Sequence, residues 1–114
     1  MPLKGVPPLP GSILKKQILT PLGIKQIDLA RAMGLTRPMI HYVVTGKSSI
    51  TVELALRLGR VTNTAPEYWL ALQLELDLHR ARHRLADTLA NLQPLVGQEP
   101  DHRTPGGDPI NGRD

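Results

Sequence analysis

The sequence predicts an all-α fold, and three observations predict it. Apolar residues recur at spacings of three and four, and no stretch alternates apolar with polar as a strand would. Turn signals cut the chain into lengths suited to helices: Pro10-Gly11, Thr20-Pro21-Leu22-Gly23, Gly34 and Gly46. Threonine or serine stands before most of the periodic stretches, where a side-chain oxygen can cap the first turn. No internal repeat is visible.

The elements follow in order. Ser12 is the expected N-cap of a first helix, with Ile13, Leu14, Ile18 and Leu19 inward, and Thr20-Pro21-Leu22-Gly23 is expected to end it. A second helix carries Ile24, Ile27, Leu29, Ala30 and Met33, with Gly34 at its C-terminal end. Thr36 caps a third, whose first turn tolerates Pro38 because an N–H is not needed there. Ile40, Val43 and Val44 face inward, and Gly46 stops it. Thr51 caps a fourth helix with Leu54, Leu58 and Val61 on its inner face. Thr64 and Glu67 have the spacing of a capping box and open a long fifth helix, expected to run to about Leu92.

Composition bounds the rest. The chain has 114 residues, no Phe, one Trp and no Cys. The core must therefore be aliphatic, and disulfides, iron–sulfur clusters and thiolate zinc sites are excluded. Residues 93–114 hold four prolines and four glycines with few apolar side chains, the composition of a disordered tail. Residues 1–9 read as an N-terminal arm, and residues 10–92 as the domain. No leader-like or membrane-length apolar run is present, so a cytoplasmic protein is expected. Residues 1–65 carry nine Lys/Arg against Asp28 and Glu53, whereas residues 66–114 carry five Arg against eight acids. A basic front and an acidic rear suit a polyanion at the front.

Two short helices, Gln26–Met33 and Arg37–Thr45, meet through Gly34-Leu35-Thr36, the spacing of a helix-turn-helix. Ala30 lets them cross closely. With Ile40 and Val43 buried, Thr36, Arg37, Met39, His41 and Tyr42 project outward as candidates for reading base edges. Arg37 suits guanine, the Thr36 hydroxyl a base or phosphate, and Met39 or Tyr42 a thymine methyl. Gln26, Lys47 and the Ser48-Ser49 amides are candidate phosphate contacts. On the fifth helix Leu74, Leu78, Ala81, Leu85 and Leu89 form a heptad-like stripe left over after Trp69, Leu72 and Leu76 face the core. Such a stripe predicts a two-fold dimer, with reading helices about 34 Å apart on a palindromic site.

Other chemistry is weaker. Gly46-Lys47-Ser48 lacks the earlier glycine of a phosphate-binding loop, because position 41 is His. His79 and His83 share a helix face, but Arg80 and Arg82 disfavour a cation beside them. Ser12, Ser48 and Ser49 have no evident His–Asp partners. No enzyme, metal or cofactor is expected.

The segment from Pro10 to Leu78 resembles the HigA-type antitoxins of the lambda-repressor-like (XRE) helix-turn-helix superfamily. The resemblance rests on the PG pair, LTPLGI, QIDLARAMGL, TGKSSIT, TVELALRL and above all TAPEYWLALQLELDL. It implies a five-helix DNA-binding domain that dimerises, represses its own operon and neutralises a ribonuclease toxin of the HigB/RelE type. Lys25 departs from the Ser or Thr more common before the second helix. Arg37-Pro38-Met39 and His41-Tyr42 depart at positions that set specificity, so no operator sequence transfers.

Overall fold

In a computed structural model, residues 5–97 are described; positions 1–4 of the predicted arm and 98–114 of the predicted tail lie outside them. The described residues contain helices and no strand. Helix α1 runs from Pro10–Leu14 through a π-helical turn, Lys15–Leu19, into Thr20–Leu22. It is followed by α2 (Gln26–Met33), α3 (Arg37–Val44), α4 (Val52–Thr62), α5 (Pro66–Arg84) and α6 (Ala86–Ala90). The chain divides into two units, Met1–Arg84 and Leu85–Asp114.

Helix α1 corrects one expectation, its cap. Its N-cap is Leu9 rather than Ser12, with Pro10 in the first helical position, where its fixed φ and missing N–H fit. It continues through Pro21 and ends at Leu22, so Thr20-Pro21-Leu22-Gly23 closes it as expected. That proline has no N–H for the preceding turn, and the backbone widens before it, so that the Thr20 N–H reaches the Lys15 carbonyl. The terminator is Gly23, at φ 66° and ψ 29°, with the Ile24 N–H donating to the Leu19 carbonyl over 2.8 Å.

The core of the first unit gathers Leu14, Leu19, Leu29, Ala30, Met33, Ile40, Val43, Val44, Ile50, Ala55, Leu58 and Trp69. Large side chains buried this way each contribute about 1.5–3 kcal/mol of apolar transfer. Trp69 is fully enclosed, and its indole N–H donates to the Thr64 hydroxyl at 2.7 Å. That hydroxyl also meets the Thr62 hydroxyl at 2.8 Å. Thr64 is thereby drawn toward the tryptophan, and the expected capping box with Glu67 does not form. Helix α4 buries Ala55, Leu58 and Gly59, while Val61, expected inward, is 36% exposed.

Helices α1 and α3 cross with their backbones in close contact at Gly11. A β-carbon on Gly11 would stand 2.0 Å from the Val43 carbonyl oxygen and 2.6 Å from the Val44 Cα. Only glycine lets α1 lie directly on the backbone of α3.

The expected long fifth helix is shorter. Helix α5 ends at Arg84, Leu85 leaves helical geometry at φ −100° and ψ 13°, and the five-residue α6 buries no side chain. Leu76 is the last buried residue of α5. Beyond it tertiary packing no longer supports the helix, and propensity alone sustains short lengths poorly. The last turn, with Arg82, His83 and Arg84, suits the negative end of the helix dipole.

Candidate nucleic-acid interface

The α2–α3 turn is built by local chemistry. Gly34 takes the left-handed conformation at φ 74° and ψ 30°. The Leu35 N–H then closes on the Ala30 carbonyl at 2.8 Å, and the Gly34 N–H on the Arg31 carbonyl at 3.1 Å, a Schellman closure. Thr36 follows in extended geometry, and its hydroxyl accepts the Met39 N–H at 3.4 Å, as expected of the cap. Arg57 braces the turn from α4. Its Nη1 donates to the Met33 carbonyl at 2.7 Å, while Nε and Nη2 hold the Glu53 carboxylate at 3.2 and 2.9 Å. Arg57 was not singled out from the sequence. The one available signal was the Glu53/Arg57 spacing of four on a helix, which is common on solvated faces.

Helix α3 presents two faces. Ile40, Val43 and Val44 are 1, 5 and 9% exposed and hold it to the core. Thr36, Arg37, Met39, His41 and Tyr42 are all exposed, so each of the five residues proposed to read bases is accessible. The His41 and Tyr42 rings lie 6.2 Å apart at 54°. Thr45 turns back, its hydroxyl donating to the His41 carbonyl at 2.9 Å.

The loop after α3 needs one correction. Gly46 sits at φ 82°, and the Lys47 and Ser48 N–H groups both donate to the Tyr42 carbonyl, at 2.8 and 3.0 Å. The Ser48 amide is therefore engaged in closing α3 and is not available to a phosphate. The Lys47 ammonium, the Ser48 and Ser49 hydroxyls and the Ser49 amide remain; all three residues are exposed. A shallow cavity of about 240 Å³ joins this loop to the reading face, lined among others by Met39, Tyr42, Ser48, Ser49 and Arg57. Gln26 stands apart, as the first residue of α2. Its Oε1 is buried without a partner. Lys25 before it gives no side-chain cap.

Among the described residues the ion pairs are Arg31–Asp28 at 3.8 Å and Arg57–Glu53 at 2.9 Å. Arg37 and Lys47 have no acidic partner within that set. Both are exposed, and unpaired surface cations attract a polyanion.

The residues proposed for dimerisation divide at the helix break. Leu74 and Leu78 on α5 are 57 and 40% exposed, and Ala81 is half-buried. Leu85 lies at the break and Leu89 on α6, 37 and 48% exposed. The stripe is thus not one continuous helical face. The His79 and His83 rings are nearly parallel, at 12° with centroids 6.5 Å apart, and among the described residues no three His, Cys, Asp or Glu are grouped to hold a metal. No helix of the described residues is long and apolar enough to cross a membrane.

Comparison with known proteins agrees with this geometry. The helix-turn-helix family matches residues 14–69. The chain is 39% identical over 88 residues to an uncharacterised helix-turn-helix-type transcriptional regulator of Haemophilus influenzae, spanning 75% of this chain and 82% of that one. It is 34% identical over 95 residues to the antitoxin HigA-1 of Vibrio cholerae, spanning 82% and 90% of the two chains. Among solved structures, the Pseudomonas aeruginosa antitoxin HigA with the higBA promoter superposes with a TM-score of 0.74 at 31% identity, covering 79% of this chain and 99% of that one. With its Gly34 turn, its braced α3 and these relatives, the chain belongs to the helix-turn-helix family, among the HigA-type members of the lambda-repressor-like (XRE) superfamily.

Proposed function

We propose that this protein is a dimeric, sequence-specific DNA-binding antitoxin. It represses its own toxin–antitoxin operon and neutralises a ribonuclease toxin of the HigB/RelE type. The observation that carries the DNA reading is the two-faced α3: aliphatic side chains fix one side in the core, and Thr36, Arg37, Met39, His41 and Tyr42 are exposed. In this reading Arg37 pairs bidentately with guanine, and Met39 and Tyr42 press on a thymine methyl. Gln26, Lys47, Ser48 and Ser49 fix the register on the phosphates. The solved relative with its promoter supports the DNA-binding reading as a whole.

The exposed Leu74 and Leu78, with Ala81, Leu85 and Leu89, form the dimer contact, and two copies read a palindromic operator in double-stranded DNA. Residues 10–92 make up the working domain, between an arm at 1–9 and a tail at 93–114. The exposed acids Glu67, Glu75, Asp77 and Asp87 supply charge complementary to a basic toxin. The protein acts without a cofactor and without catalysis of its own, in the cytoplasm on the nucleoid.

A stand-alone XRE regulator without a toxin is the second reading, favoured by the Haemophilus influenzae relative, which is described only as a regulator. Co-expression with the adjacent reading frame separates the two. A stoichiometric complex, with growth arrest when the neighbour is expressed alone, supports the antitoxin. A homodimer beside a harmless neighbour supports the regulator.

A further inference from the structure

Gln73 is the buried polar side chain of the core, 7% exposed in the middle of α5. Both ends of its amide are engaged. Oε1 accepts the Ile50 N–H at 2.8 Å across 23 positions of sequence, and Nε2 donates to Asp77 Oδ1 at 3.0 Å one turn along α5. Ile50 is itself buried and directly follows Lys47, Ser48 and Ser49. The same loop is tied at its other end by the two amides on the Tyr42 carbonyl. Little free space is left around it: the gap bounded by Gly46, Ser48, Ser49, Ile50 and Gln73 measures about 10 Å³.

A buried amide is expensive unless each polar atom finds a partner, and here an aliphatic residue would leave the buried Ile50 N–H without one. What glutamine adds is direction. It fixes one backbone N–H, at the exit of the loop that carries Lys47, Ser48 and Ser49. We infer that Gln73 is a positioning residue: it clamps the Lys47–Ser49 loop to α5, so that the phosphate-gripping groups are held in register with the reading face of α3. This rests on the DNA-binding reading above. Gln73 touches no nucleic acid in this account and acts through the loop.

The test uses the full chain and a fluorescent duplex carrying the DNA upstream of its own coding sequence, with affinity measured against salt concentration. Gln73→Met keeps the volume and removes both hydrogen bonds. Expected are a roughly tenfold loss of affinity, a log–log salt slope flatter by about one, and faster amide exchange at Ile50. The discriminating readout is the cycle with Lys47→Ala. If Gln73 works through the loop, the double variant is little worse than the poorer single one; if it merely stabilises the fold, the losses add. An unchanged slope or additive losses overturn the assignment. Should Gln73→Met not fold, Asp77→Ala at the exposed end of the clamp replaces it, with a smaller slope change and faster loop exchange expected; unchanged exchange overturns the clamp. If the wild-type chain binds no duplex, the DNA reading falls, and the clamp is judged on loop exchange alone.

Discussion

Helices α3 and α6 are both short, eight and five residues, and neither has the length to persist in water. They differ in what lies behind them. Helix α3 buries Ile40, Val43 and Val44, is capped by Thr36, and has the backbone of α1 pressed on it at Gly11. Helix α6 buries nothing, although Leu85 and Leu89 would supply an apolar side. A short helix persists where the fold packs one of its sides, as in α3; α6 has no such packing, and its leucines stay exposed.

The largest effect that would break this contrast is at Gly11. Gly11→Ala places a carbon against the Val43 carbonyl, a backbone atom that cannot swing aside. It should destabilise the domain by about 3 kcal/mol, at the upper end for overpacking, in a denaturant titration. A change below about 0.5 kcal/mol, the level of an ordinary surface substitution, would mean the crossing is looser than described. Next is the exposed stripe. Leu74→Ser with Leu78→Ser should convert a dimer to a monomer by light scattering while leaving the monomer folded. A dimer that survives would place the two-fold contact elsewhere. Lys47→Ala should weaken binding to all duplexes alike and flatten the salt slope by about one; an unaltered slope removes Lys47 from the phosphate set. The smallest effect belongs to α6: Leu89→Ala should change the stability of the monomeric domain by no more than about 0.5 kcal/mol.

Where local chemistry decides, the sequence was readable. Gly34 and Gly46 need left-handed geometry, Thr36 and Thr51 cap, and Ile40, Val43 and Val44 share a face; each lies where expected. Thr64 misled because its hydroxyl has two possible uses. The spacing to Glu67 suggests a cap, but the indole of a buried tryptophan takes it. The break at Leu85 has no glycine or proline to announce it, since it reflects missing packing rather than a local breaker. Gln73 and Arg57 were invisible as positioning groups for a further reason. Their partners, Ile50 and Met33, are 23 and 24 positions away and meet them only in the folded chain. In the interface itself the exposed set was readable from periodicity, while the loss of the Ser48 amide to the Tyr42 carbonyl required coordinates.

Sequence reading by the exposed residues of α3 is the central claim to test. The direct measurement is the affinity of wild type and Arg37→Ala for a panel of duplexes, each differing from the operator at one base pair. Loss of about 1–3 kcal/mol at a single position, with discrimination there abolished and kept elsewhere, is the predicted result. Equal weakening across the whole panel would make Arg37 a phosphate contact and would contradict the assignment of α3 as the reading helix in this orientation.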